Sequence, residues 1–388
     1  MNKILFSATL LACSLTAQAQ DVADRFMKIH RTDGTVVTYK IADVDSITFS
    51  PTDDTPSPAA TDLGEGANTY IVPDAGTYCF ETLHVSGKPI QNISHVDWIW
   101  CTKSADSETQ DYITDIGYAD GKVTFTATDK KGDIVIAAFD DSGKIVWTWL
   151  LWLTDTPQTM TYENGTTFMD RYLGATSADP ADQAATWGLV WQWGRMTPFF
   201  AGYDNEWNAD EAFDQARKWT VVNSDYDLSW KFQPAATSLE EAIATPLTFY
   251  GDSITCDWIT PTNMSLWGSK KTDYDPSPAG YRLPMPEQWS ELSQMTYDET
   301  NVGYTYTFDG NSAWWPASGS GREFDTGCNI IGSACTFVWS ACAETTVDIL
   351  LGDSFDTCWR LIASKGGIYT KAMGNPAFAH SLRCVVDE

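Results

Sequence analysis

"DPSPAGYRLPMPEQWSEL", residues 275–292, sets four prolines, one arginine and one tryptophan in a short space. Each proline fixes φ and removes an amide donor, so Pro276, Pro278, Pro284 and Pro286 hold the segment extended until Glu287 opens an amphipathic run. Pro286 stands where a helix would start, and Trp289, Leu292 and Met295 recur at helical spacing. The stretch is built for rigidity. Around it, residues 160–388 have an unusual texture, with thirteen of the chain's 18 tryptophans and long irregular segments. One further helical run, "NADEAFDQARKW" (208–219), places acids in its first turn and bases in its last. "SAWWPASG" (312–319), "CTFVWSACA" (335–343), "DTCWRLIAS" (356–364) and "HSLRCVVDE" (380–388) read as strands.

Upstream, residues 68–157 are all-β in pattern. "TYIVPDAGTYCFETLHV" (69–85), "VDWIWCT" (96–102), "GKVTFTATD" (121–129) and "GDIVIAAFDDSGKIVWTWLLWLTD" (132–155) are rich in aromatic and β-branched residues and are separated by turn residues. About seven short strands in under a hundred residues predict a small antiparallel, Ig-like β-sandwich. Before it, residues 20–50 alternate apolar and polar residues on both sides of Asp33-Gly34, a hairpin signal, and form a short β module. Residues 51–67, "PTDDTPSPAATDLGEGA", have the composition of a linker. No period of 20 to 50 residues repeats.

The first 19 residues read as a signal peptide: Lys3, an apolar run from Ile4 to Leu15, then Ala17-Gln18-Ala19 before the cut. A competing reading makes Leu10-Leu11-Ala12-Cys13 a lipoprotein box, with Cys13 lipidated and the membrane reached only through that anchor. Simple cleavage is the expectation. No later apolar stretch approaches the roughly 20 residues needed to span a bilayer. A net charge of −28 sets the chain against phosphate backbones, so nucleic acid is excluded as an expected partner. Eight of the nine cysteines lie beyond the leader, an even number that permits disulfides in an exported chain. Cys79 and Cys101 are candidates to bridge the sandwich.

"TTFMDRYLGATSADP", "WGLVWQWGRMTPF", "DPSPAGYRLPMPEQWSEL", "WWPASG", "FVWSA" and "HSLRCVVDE" together resemble, in order and spacing over about 230 residues, the Fibrobacter succinogenes major paralogous domain. The resemblance implies an α+β C-type-lectin-like domain over residues 160–388, related to the formylglycine-generating enzymes. The preceding block is similar to the β domain of Bacteroides-type surface and fimbrial proteins, and residues 27–50 resemble the leader module of such proteins. It implies framework roles for Asp170, Arg171, Gly174, Trp193, Gly194, Arg195, Arg282, Trp289 and Arg383. The family often reads Pro-Cys-Pro where this chain has Pro276-Ser277-Pro278, so Cys384 loses its implied partner; Cys358, with Cys256 behind it, is the replacement expected.

No Walker, dinucleotide, Gly-x-Ser-x-Gly or His-Glu-x-x-His pattern occurs, and His30, His84, His95 and His380 are scattered. The acidic run 204–214 lacks the glycine of a calcium loop, so neither metal nor cofactor is expected. Trp207, Trp267 and Trp314, flanked by small, polar or charged residues, are expected to be exposed and, with Arg322, to line a ligand face. The functional expectation is a cell-surface or outer-membrane, non-enzymatic binder of a glycan or surface protein, an adhesin or fimbria-associated tip component. One alternative is an enzyme of the formylglycine-generating superfamily or a hydrolase, in which Cys335 and Cys342 would imitate the reactive pair. The other is a structural subunit that engages fimbrial partners by strand exchange.

Overall fold

Ile145–Leu153, "IVWTWLLWL", is apolar nearly without a break, and almost every residue in it is buried. A strand with one wet face would alternate; this pattern means that both faces are covered. In a computed structural model, Trp147, Trp149, Leu151 and Leu153 face the core of a sandwich, and Leu150 and Trp152 face a second core on the other side of the sheet. Gly132–Phe139 is buried along its whole length in the same way, with Ile134, Ile136 and Ala138 on one face and Val135, Ala137 and Phe139 on the other. These two strands lie inside a sheet that is covered on both faces.

The structure describes residues 26–30, 35–40, 59–64, 66–103, 108–200, 213–318, 321–322, 334–347 and 354–387. The expected leader, Cys13 and Trp207 lie outside them. The chain divides into two units, 1–57 and 58–388. In the first, β1 (Phe26–His30) and β2 (Val36–Lys40) pair antiparallel as a hairpin.

In the second unit, β3 (Thr61–Asp62), β4 (Thr69–Val72), β5 (Gly76–Glu81), β6 (His95–Thr102), β7 (Ile113–Ala119), β8 (Lys122–Ala127), β9 (Gly132–Phe139) and β10 (Ile145–Leu153) build two sheets. After them come β11 (Thr159–Thr161), β12 (Thr167–Met169), β13 (Trp191–Gln192) and β14 (Thr220–Val222). The sheet orders are β3-β5-β8-β7 and β14-β6-β9-β10-β4. The sandwich is mixed rather than antiparallel, because β3 joins β5, and β4 joins β10, in parallel. Since β3 is part of the sandwich, the expected linker ends earlier than residue 67.

The expected boundary between a sandwich at 68–157 and a separate domain at 160–388 is replaced by a shared core. β14, from the C-terminal part, pairs with β6 through Thr220↔Thr102, Val221↔Cys101 and Val222↔Trp100. One hydrophobic cluster runs from Ile99 through Trp152 to Leu382 and Cys384. The proline-rich stretch docks here too. Asn68 donates through Nδ2 to the carbonyls of Asp273 and Asp275, each at 2.9 Å, and Thr69 Oγ1 donates to that of Pro276 at 2.6 Å.

The C-terminal part continues with β15 (Lys231–Gln233), β16 (Thr248–Tyr250), β17 (Tyr281–Arg282), β18 (Thr296–Asp298), β19 (Gly303–Phe308), β20 (Asn311–Pro316), β21 (Gly321–Arg322), β22 (Thr336–Val347), β23 (Ser354–Ser364), β24 (Gly367–Gly374), β25 (Ala379–His380) and β26 (Val385–Val386). They form five small sheets, and β26 returns to pair with β12 and β17 beside the start of the region. Helix is scarce, 9% against 44% strand, so the described molecule is a multi-sheet β protein. Its α-helices are single short turns: α1 (Gln183–Thr186), α2 (Asp214–Trp219) and α3 (Leu239–Ala244). The helix expected after Pro286 is a 3₁₀ segment, Pro286–Gln294, broken by non-helical backbone at Trp289.

Where the chain runs irregularly between its small sheets, buried arginines satisfy backbone carbonyls. Arg195, 3% exposed, donates to Gln192 Oε1 and to the carbonyls of Ala242, Thr245, Pro246 and Thr248. Burial pulls its guanidinium down to about 9, which leaves it charged at neutral pH. Lys271 Nζ, beside buried Asp275, meets the carbonyls of Ser277, Pro278 and Tyr281.

Candidate functional site

β19 and β20 form a hairpin closed at Asp309-Gly310, both with positive φ (49° and 77°), as the tightest hairpin turns require. In its ladder Thr305 faces Trp314 and Tyr304 faces Trp315, so the adjacent tryptophans point to opposite faces. Trp315 enters a core cluster with Tyr162, Phe168 and Trp289. Trp314 belongs to none of the three clusters. Its six-membered ring lies over Gly303, where a Cβ would come within 2.3 Å of it; only glycine leaves that space.

On this side the hairpin borders a cavity of about 790 Å³. One wall is Gln158, Thr159, Met160, Thr161 and Asp170, another is Ala178 and Pro180, and the third runs from Thr305 through Phe308, Asp309, Asn311 and Ser312 to Trp314. The volume falls within the range of about 300–1,000 Å³ usual for ligand pockets. Its described lining contains two carboxylates, two amides, several hydroxyls and three large apolar side chains, and no lysine, arginine, histidine or cysteine.

Two arginines fix the walls. Fully buried Arg383 donates from Nε to the carbonyl of Met169 at 2.7 Å and from Nη1 to that of Trp314 at 2.5 Å, tying β12 to β20. Its guanidinium stacks 4.2 Å from the Trp315 ring. Arg171 grips both oxygens of Asp170 at 2.8 and 3.0 Å and those of Asp155 at 3.2 and 3.0 Å. Hydrogen bonding from Arg171 holds the Asp155 carboxyl well below the usual carboxylate range. Asp170 is thereby presented to the cavity in one orientation. The indole N–H of Trp314 is sealed from water and has no acceptor among the described residues, a state that costs about 1–3 kcal/mol.

Two residues expected to be exposed are buried. Trp267, 2% exposed, packs on Trp193 and donates to the carbonyl of Tyr274; Trp314, 7% exposed, is covered by its own hairpin and the cavity walls. Of Arg322 the structure describes the backbone, which pairs with Ala379. Trp193 donates to the carbonyl of Ser340, Trp289 to that of Thr370, and Arg282 to Leu283 O and Gln288 Oε1 with Asp387 alongside.

The expected disulfides are absent, and Cys79, Cys101, Cys358 and Cys384 are free thiols. Cys79 alternates with the core-facing Tyr78 and Phe80 and so turns outward, whereas Cys101 points into the sandwich core, its thiol pushed up to about 12 by burial. Cys358 and Cys384 have different neighbours: Asp257 and Asp356 act on the first, Asp275 and Lys271 on the second. Burial also pushes up the thiols of Cys335 and Cys342, opposite to the shift of a reactive thiolate.

The hydroxyl and amide residues of the cavity walls carried no sequence signal beyond Asp309-Gly310. Comparisons with protein-family models, with curated proteins and with solved structures found no match.

Proposed function

We propose that this chain is an exported, cell-surface recognition protein of the adhesin or fimbrial-tip kind, whose C-terminal part is a C-type-lectin-like variant binding a glycan or protein in the Trp314 cavity. The observation that carries the reading is the cavity beside Trp314: about 790 Å³, open, and lined by two carboxylates, two amides and several hydroxyls together with three large apolar side chains. The leader-like N-terminus and the strongly acidic composition agree with export. Both arginine networks support it as well, since Arg171 orients Asp170 at the cavity and Arg383 ties β12 to β20 beside it.

The test is glycan- and protein-array binding by the purified chain, with Ser312→Arg as the blocking variant. Ser312 is exposed at the cavity rim, so a long side chain there obstructs the cavity without entering a core. Selective binding that disappears in Ser312→Arg supports the reading. Binding that survives in Ser312→Arg removes the cavity from the account.

A further inference from the structure

Resting on that reading, we infer that the cavity selects a neutral, hydroxyl-rich ligand, a pyranose unit of an uncharged oligosaccharide, and rejects acidic glycans. The only charged groups described in the walls, Asp170 and Asp309, are acceptors, and the amides and hydroxyls beside them both donate and accept. Asp170 accepts one N–H from Arg171 on each oxygen, which leaves further lone pairs on both. Asp309 stands exposed at the hairpin turn, with Asn311 and Ser312 next to it. Gln158 faces them from the other wall. A pyranose supplies hydroxyls that both donate and accept, so it satisfies carboxylates, amides and hydroxyls alike, while its C–H face lies against Phe308 and the accessible edge of Trp314.

A peptide backbone fits this chemistry less well, because each of its groups is fixed as a donor or an acceptor, whereas a hydroxyl turns to serve carboxylates, amides and hydroxyls alike. An acidic sugar fits worst. No cation among the described lining residues answers its charge, while two carboxylates and a chain of net charge −28 oppose it. Trp314 lines the same cavity and keeps only 7% of its surface exposed, so the ring offers a fixed edge to a guest.

The experiment is calorimetric titration of the full chain with neutral gluco-, galacto-, manno- and N-acetylhexosamine oligosaccharides and with their sialylated, uronate and sulfated counterparts. The same titrations are run on Trp314→Phe, Asp309→Asn and Ser312→Arg. A neutral ligand is expected to bind, its acidic counterpart at least about tenfold more weakly at low salt, with the gap narrowing in Asp309→Asn and at high salt. Trp314→Phe shortens the ring that lines the cavity, and is expected to weaken binding by about three- to tenfold. Equal or tighter binding of acidic glycans, abolished by Ser312→Arg, overturns the neutral-ligand inference and leaves the recognition reading standing. So does a protein ligand lost in Ser312→Arg when no glycan binds. No ligand of either class sensitive to Ser312→Arg overturns both.

Discussion

Arg383 holds the two sides of the cavity with one planar group, donating to a carbonyl on β12 and to another on β20. Arg383→Met leaves both carbonyls buried without a donor, and a loss of about 2–5 kcal/mol is expected in urea unfolding. Arg383→Lys should recover little, because an ammonium cannot fork between two carbonyls over a ring. His380 gives the protein an acid-sensitive component. Fully buried among Phe337, Trp339 and Phe378, it accepts from Arg360 Nη1 at 2.6 Å, and burial followed by the Arg360 charge lowers its pKa well below 6.5. Below pH 6.5 the unfolded chain takes up a proton that the folded chain refuses, so stability should fall with pH at about 1.4 kcal/mol per unit. His380→Phe should flatten that slope in a pH series of urea midpoints. Asp133 has the opposite sign: fully buried, with its carboxyl raised well above 3.8, it binds its proton more tightly folded than unfolded. Its contribution therefore declines as pH rises above 3.8, and Asp133→Asn should raise the unfolding midpoint at pH 7 relative to wild type. At this scale the sequence was informative about which side chains matter and poor about their exposure. Trp314 and Trp315 are adjacent, strand alternation sends them to opposite faces, and nothing in "SAWWPASG" says which face is the core.

The elements were legible where a period was long and obscure where it was short. β9 and β10 announce themselves through continuous apolar runs, whereas the hairpin of β19 and β20, closed at Asp309-Gly310, was not expected: "SAWWPASG" was read as a strand without its partner. The segment after Pro286 misled because Trp289, Leu292 and Met295 are spaced by three, a repeat that suits the three-residue turn of a 3₁₀ helix as well as an α-helix. β14 offers too short a run to read, being three residues, buried to half-buried, whose place is set by β6. The β19–β20 pair makes its own prediction. Gly303→Ala places a methyl where the Trp314 ring lies, and the resulting overpacking should cost about 1–3 kcal/mol. Because the ring is forced toward the cavity, ligand affinity should change in the same variant, whereas Gly310→Ala, in open space at the turn, should affect stability alone.

At the scale of the whole molecule, the two halves of the second unit were expected to be separate, and composition alone favoured that division, since residues 68–157 are regular strands and residues 160–388 are loops and short sheets. What joins them is the second face of β9 and β10, covered by Leu173, Leu189 and Trp191 and their neighbours in one cluster. The near-absence of polar residues in "IVWTWLLWL" was the sequence's trace of that covering. The cavity depends on it, because its walls are held by residues whose backbones rest on this common core. Hydrogen exchange resolved by peptide across a urea series measures this most directly. The account predicts that 95–102, 132–153, 220–222 and 379–386 lose protection together, at one urea concentration and with one opening free energy. Protection of 132–153 persisting after 220–222 and 379–386 have exchanged would contradict it and restore two independent domains.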